Sequence, residues 1–188
     1  MAYSTTTLPP QQHVIYHIYS RGAGNDKIFR QEPDYLRFLK VMGEKLCPVS
    51  EIYAYCLIPN HYHLMLKVTA EPILFSRAIG EMGVSYAKWY NKKYGRMGPL
   101  FMSPYKRKQL HDYSYLAWIP WYIHRNPLRH GLTLDWENYK WSSYPTYMGD
   151  GPTRLTRGFL LNLYGGREAM QQHHRANASL WLGDDLEG

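Results

Sequence analysis

The chain has 188 residues, a formal net charge of +7 and a sequence pI of about 9.3. That length suits one domain with short extensions, and the apolar and aromatic content excludes a disordered chain. A basic balance favours polyanionic partners, nucleic acid foremost, although many small basic proteins are merely soluble. Two cysteines, Cys47 and Cys56, form no C-x-x-C pair, which excludes a zinc knuckle and a disulfide framework and predicts a reducing, cytoplasmic setting. The opening MAYSTTTLPPQQHV has no hydrophobic signal core, and no apolar run is long enough to span a bilayer, so no membrane association is expected.

Residues 1–12 read as a loose arm ending at Pro9 and Pro10. His13 to Tyr19 is β-branched and aromatic and predicts a strand, followed by a turn-rich loop from Arg21 to Asp26. Tyr35, Leu36, Leu39, Met42 and Leu46 fall near helical spacing, which predicts a helix from Pro33 to about Leu46. Glu51 to Ile58 and Tyr62 to Val68 predict a hairpin around Pro59-Asn60. Pro72 to about Tyr94 is helical in pattern, with Lys88, Lys92 and Lys93 toward its C-terminal end, where cations suit the helix dipole.

Phe101 to Leu110 predicts a further strand, which Pro104 confines to an edge or a bulge. Asp112 can cap a helix that Pro127 should end near Asn126. Beyond Leu132 a short helix is expected near Arg157 to Tyr164, and residues 165–188 look poorly structured. The order predicts an α+β fold, an antiparallel sheet with helices packed on one face, in a ferredoxin-like or RNA-recognition-like layout. Its core domain would span 13–148, with a partly helical extension over 149–188.

Three patterns carry chemistry. In Asn60-His61-Tyr62-His63, strand alternation sends His61 and His63 to one face and Tyr62 to the other. Two imidazoles on one strand make half of a metal site, although such pairs are often simply hydrogen-bonded. In Tyr122-Ile123-His124-Arg125-Asn126, Tyr122 and Asn126 are one helical turn apart and share a face. Tyr122 is a candidate nucleophile and Asn126 a candidate amide-oxygen ligand, but buried core aromatics are the usual fate of tyrosines in a chain that has 18. In Tyr105-Lys106-Arg107-Lys108, alternation puts Lys106 and Lys108 on one face and Tyr105 and Arg107 on the other. Basic and aromatic residues together suit single-stranded nucleic acid, and lysines equally protect an edge strand.

Taken in order, YHIYSRG, AYCLIPNHYHLML, GPLFMSPYKRK, YIHRNPLRHGL and WSSY resemble the REP-associated tyrosine transposases of the HUH (His-hydrophobe-His) superfamily, over roughly residues 13–148. The resemblance implies an enzyme that cleaves and rejoins single-stranded DNA beside small hairpins through a 5′-phosphotyrosine intermediate. It implies Tyr122 as the nucleophile and His61, His63 and Asn126 as ligands of a divalent metal ion, magnesium or manganese. Two imidazoles suit manganese better than magnesium, which prefers oxygen. His124 points to another side of the helix and is left unassigned.

The DNA-binding candidates are Arg21, Lys92, Lys106, Arg107 and Lys108. Relatives act as monomers or as homodimers. Pro120 is a departure from a regular helix, two residues before Tyr122. A hairpin-binding module without chemistry, a hydrolase with water as nucleophile and an RNA-binding domain are the competing readings.

Overall fold

The computed structural model describes residues 9–176. In chain order the elements are β1 (Ile15–Arg21), α1 (Glu32–Leu46), β2 (Ser50–Ile58), β3 (His61–Val68), α2 (Pro72–Tyr94), β4 (Lys106–Gln109), α3 (Tyr113–Arg129), α4 (Tyr144–Met148), α5 (Arg157–Tyr164) and α6 (Arg167–Ala176). The strands make one antiparallel sheet in the order β2-β3-β1-β4. This is the expected α+β architecture. Among the described residues no helix is long and apolar enough to cross a membrane.

Helices lie on both faces of the sheet rather than one. Tyr16, Ile18, Leu57, Tyr62, Leu64 and Leu66 pack with α1 and α2. Tyr53, Cys56, Ile58 and Met65 pack with α3 and the C-terminal helices in a second core. The composition of β2 and β3 explains this, since strands covered on both sides read as near-continuous apolar runs rather than clean alternation. Neighbouring Tyr53 and Ala54 both face the second core because the β2–β3 register shifts between Ile52 and Ala54.

Two boundaries differ from sequence expectation for physical reasons. Strand β4 begins at Lys106, not Phe101, because Pro104 cannot donate to the ladder; Phe101 keeps a single bridge to Gly22. Helix α3 runs through Pro120 and Pro127 to Arg129 instead of ending near Asn126. Every residue from Ile119 to Pro127 is buried, so packing outweighs the two missing backbone donors. The helix stops where Gly131 takes a φ of 64°, and His130 N–H and Leu132 N–H cap the Asn126 and Pro127 carbonyls.

Of residues 165–188, expected to be poorly structured, Arg167–Ala176 form a helix, and 177–188 lie outside the described residues. Helix α6 is almost wholly polar, with Met170 and His174 the residues it buries, one turn apart. His174 Nδ1 donates to Met170 O (2.8 Å), so its Nε2 accepts from His124 Nδ1 (3.0 Å). His124 Nε2 then accepts from Ser143 Oγ (2.8 Å), which itself accepts from the Tyr55 backbone N–H (2.9 Å). One proton assignment satisfies the whole chain from α6 to β2, and it requires both imidazoles neutral.

Burial enforces that state. It lowers the pKa of His174 from 6.5 to about 3 and holds His124 well below the ordinary range. Unfolding therefore takes up protons below pH 6.5, so this stability is complete above that pH and is lost as pH falls toward 3. Each of the two contributes a slope of up to about 1.4 kcal/mol per pH unit. Urea unfolding at a series of pH values checks this, and His174→Gln should flatten the slope by up to one proton. An unchanged slope contradicts it.

Candidate active site

Strand β3 lies between β2 and β1, so its side chains are held from both sides. His61 pairs with Arg21 and Ile58, and His63 with Tyr19 and Cys56. Alternation turns both histidines toward α3 and sends Tyr62 into the opposite core against Phe38 and Phe101. The turn before them is pinned by Gly22 N–H to Asn60 O (2.8 Å) and by Ile28 N–H to Pro59 O (2.7 Å). Gly22 is required there, because a Cβ would come within 2.1 Å of Asp26 O.

The two ring orientations follow from hydrogen bonding. Asn60 Nδ2 donates to Asn25 Oδ1 (2.7 Å), which leaves Asn60 Oδ1 to accept from His61 Nδ1 (2.9 Å). His61 Nε2 lies within hydrogen-bond reach of Asn126 Oδ1, at 3.3 Å. That amide is also oriented, since Asn126 Nδ2 donates to Tyr122 O (3.1 Å).

His63 is fully buried, with Nδ1 2.9 Å from His17 Nε2 and a buried Nε2 that has no hydrogen-bond partner. Burial, followed by the neighbouring His61, His17, His130 and Arg129, holds its pKa well below the ordinary value, so it is the neutral imidazole that metals bind. The His61 and His63 rings are 5.0 Å apart and nearly perpendicular. Among the described residues no group of three or more histidine, cysteine or carboxylate side chains is arranged to hold a metal. The candidate donors are the two imidazoles and the Asn126 amide oxygen; His63 Nε2, like His17 Nδ1, is buried without a hydrogen-bond partner.

Tyr122 completes the cluster. Its ring meets His63 edge-to-face at 5.4 Å and His17 at 5.7 Å, with the Arg129 guanidinium 4.7 Å above it. It is 1% exposed. Tyr122, Asn126, His61 and His63 thus lie together, the pair on β3 meeting the pair on α3. Register places Arg21, Lys106 and Lys108 on the same face, opposite His61, Tyr19 and His17 in turn. Arg107 lies on the other face, over the Tyr16 ring, and Lys92 sits on α2 in that other layer, so neither joins the cluster.

His17, Arg129 and His130 escaped the sequence reading. His130 packs 4.7 Å from the His61 ring. Both Arg129 and His130 fall just past Pro127, where the helix was expected to stop. His17 lies two residues before Tyr19, and only the β1–β3 register reveals that it reaches His63.

No protein-family model and no curated protein matches the chain. Among solved structures it is similar to a REP-associated tyrosine transposase bound to a REP hairpin, with a TM-score of 0.58 and 15% identity, over 73% of this chain and 81% of that one. The two share a fold. At that identity the relationship is distant, and it concerns the mixed α+β arrangement of a four-stranded antiparallel sheet with helices.

Proposed function

We propose that this protein is a metal-dependent tyrosine transposase or endonuclease that cleaves and rejoins single-stranded DNA near hairpin sequences. The observation that carries the reading is the meeting, within one chain, of the Tyr122 phenol with His63 while Asn126 Oδ1 faces His61 Nε2. The fold shared with a transposase bound to a REP hairpin supports it.

In this reading Tyr122 Oη attacks the phosphorus and loses its proton. The bond from phosphorus to the 3′-oxygen breaks, and that oxygen leaves as a 3′-hydroxyl. A 5′-phosphotyrosine forms and keeps the phosphoester energy, so rejoining needs no nucleotide cofactor. His61, His63 and Asn126 would hold the divalent ion, magnesium or manganese, which supplies neutralisation of phosphate charge. The buried setting keeps water from competing with the phenol.

The test is incubation of the protein with a labelled hairpin oligonucleotide and manganese, read on a denaturing gel. A covalent adduct that chelator removes supports the proposal. Cleavage without an adduct makes water the nucleophile, and binding alone makes the protein a hairpin-binding module.

Binding itself should be steeply salt-dependent. Arg21, Lys106 and Lys108 share the candidate face, and three neutralised phosphates on a single strand give a log–log slope of about −2. Lys106→Ala should reduce that slope by about 0.7, and Lys92→Ala on the far layer should leave it unchanged. Filter binding at a series of salt concentrations measures both; an equal effect of the two substitutions contradicts the assignment.

A further inference from the structure

We propose that Met102 takes an unpaired nucleobase of single-stranded DNA, beside the phosphate that would lie at the histidines. The inference rests on the DNA substrate proposed above. It adds a contact to a base, where Arg21, Lys106 and Lys108 were assigned to phosphates.

The place of Met102 follows from the edge of the sheet. Gly22 and Phe101 form an antiparallel bridge, and Met102 N–H donates to Arg21 O (2.8 Å). Met102 therefore stands opposite Arg21, and Arg21 stands opposite His61 in the β1–β3 ladder. Residues directly opposite each other share a face. The Phe101 ring lies against Tyr62 and Tyr86, in the core beneath α1 and α2. Alternation turns its neighbour Met102 the other way, to the face of His61, Arg21 and Lys106. One row thus runs from His61 through Arg21 to Met102, across two strand spacings, about 10 Å.

The backbone at the end of that row is held twice, since Ser20 Oγ also donates to Met102 O (3.3 Å). The side chain is nevertheless 49% exposed. Single exposed apolar residues are ordinary on a protein surface, and Met97 is one. Met102 differs in standing on the face of the candidate site, in line with His61 and next to two cationic side chains. A thioether contributes no charge to phosphate binding. It is unbranched and polarizable, makes favourable contacts with ring systems, and is among the apolar side chains that wedge against bases. Arg21 and Lys106 attract the backbone of a strand, and a phosphate drawn toward His61 leaves a neighbouring base within reach of Met102. Every base has a π-face, so this contact holds a base without reading which one it is.

The test is fluorescence anisotropy with a hairpin oligonucleotide that carries an unpaired flank, in chelator so that metal plays no part. Each nucleotide of the flank is made abasic in turn. In the unaltered chain one abasic position should weaken binding by about 2–10-fold. Met102→Ala should weaken the intact oligonucleotide by the same factor and show no further loss at that position. Met102→Leu, which keeps an apolar side chain of similar volume, should bind within about two-fold of the unaltered chain. The salt dependence should not change in Met102→Ala, because no charge is lost, in contrast with Lys106→Ala. Met97→Ala is the control and should behave as the unaltered chain.

Unchanged affinity in Met102→Ala overturns the proposal. So does a loss in Met102→Ala that adds to every abasic position alike, since the side chain then meets the stem or the backbone. Both results leave the DNA reading standing. Failure of the unaltered chain to bind any flanked hairpin removes the DNA reading itself, and this role with it.

Discussion

On the function proposed above, Tyr122→Phe should abolish strand cleavage and the covalent protein–DNA adduct while leaving the fold and hairpin binding in place. The substitution removes one oxygen and keeps the ring that packs on His63, His17 and Arg129. Stability should change by no more than about 1 kcal/mol, the net contribution of a typical hydrogen bond. Cleavage should fall to background, on the order of 10^4-fold or more, because no neighbouring group replaces a lost nucleophile.

The same variant tests how many chains make one site. Tyr122 packs on the histidines of its own chain, so a mixture of Tyr122→Phe and His63→Ala proteins should stay inactive. Restored adduct in the mixture means that the tyrosine helix is exchanged between two chains. Persistence of the adduct in Tyr122→Phe alone transfers the role to another tyrosine, with Tyr115, seven residues earlier on α3, the first to substitute.

Ending the chain at Met148 prevents cooperative folding. The removed segment supplies Leu160, Met170 and His174 to the second core, all fully buried. It also holds α3 directly: Trp121 Nε1 and Arg125 Nη1 both donate to His174 O at 3.2 Å, and Tyr164 Oη donates to Ala117 O. Loss of a buried large aliphatic side chain costs about 2–5 kcal/mol, so two of them with the His124–His174 bonds approach the whole stability of an ordinary domain, about 5–15 kcal/mol. Calorimetry or circular dichroism on the shortened chain should show no sharp thermal transition. A sharp transition within a few degrees of the full chain makes the segment an appendage instead. Leu160→Ala is the milder version and should cost about 2–5 kcal/mol.

Local relations were legible in the sequence, and relations between distant segments were not. Alternation put His61 and His63 on one face, and helical spacing put Tyr122 beside Asn126, because both depend on a few neighbouring residues. Helices α2 and α5 kept their expected bounds because their apolar residues repeat regularly. His17 was invisible as a partner of His63, since that contact exists only through the pairing of β1 with β3. Helix α6 was read as loose chain because Met170 is the one large apolar side chain it buries, and a buried histidine relay supplies the rest of its anchorage. Helix α3 outlasted Pro127 because burial on both sides of that residue, and capping at Gly131, are tertiary facts.

A four-stranded sheet of this layout often serves nucleic-acid proteins as an open table on which bases lie flat against aromatic rings. Here it is an inner floor. Tyr19, placed where such a ring would receive a base, is buried and has imidazoles for neighbours instead. With α3 roofing one side and α1 and α2 the other, a polynucleotide has no broad surface to spread across. On the function proposed above, DNA would have to enter at the rim, beside the short β4 edge and the 22–30 loop, turned end-on rather than laid flat.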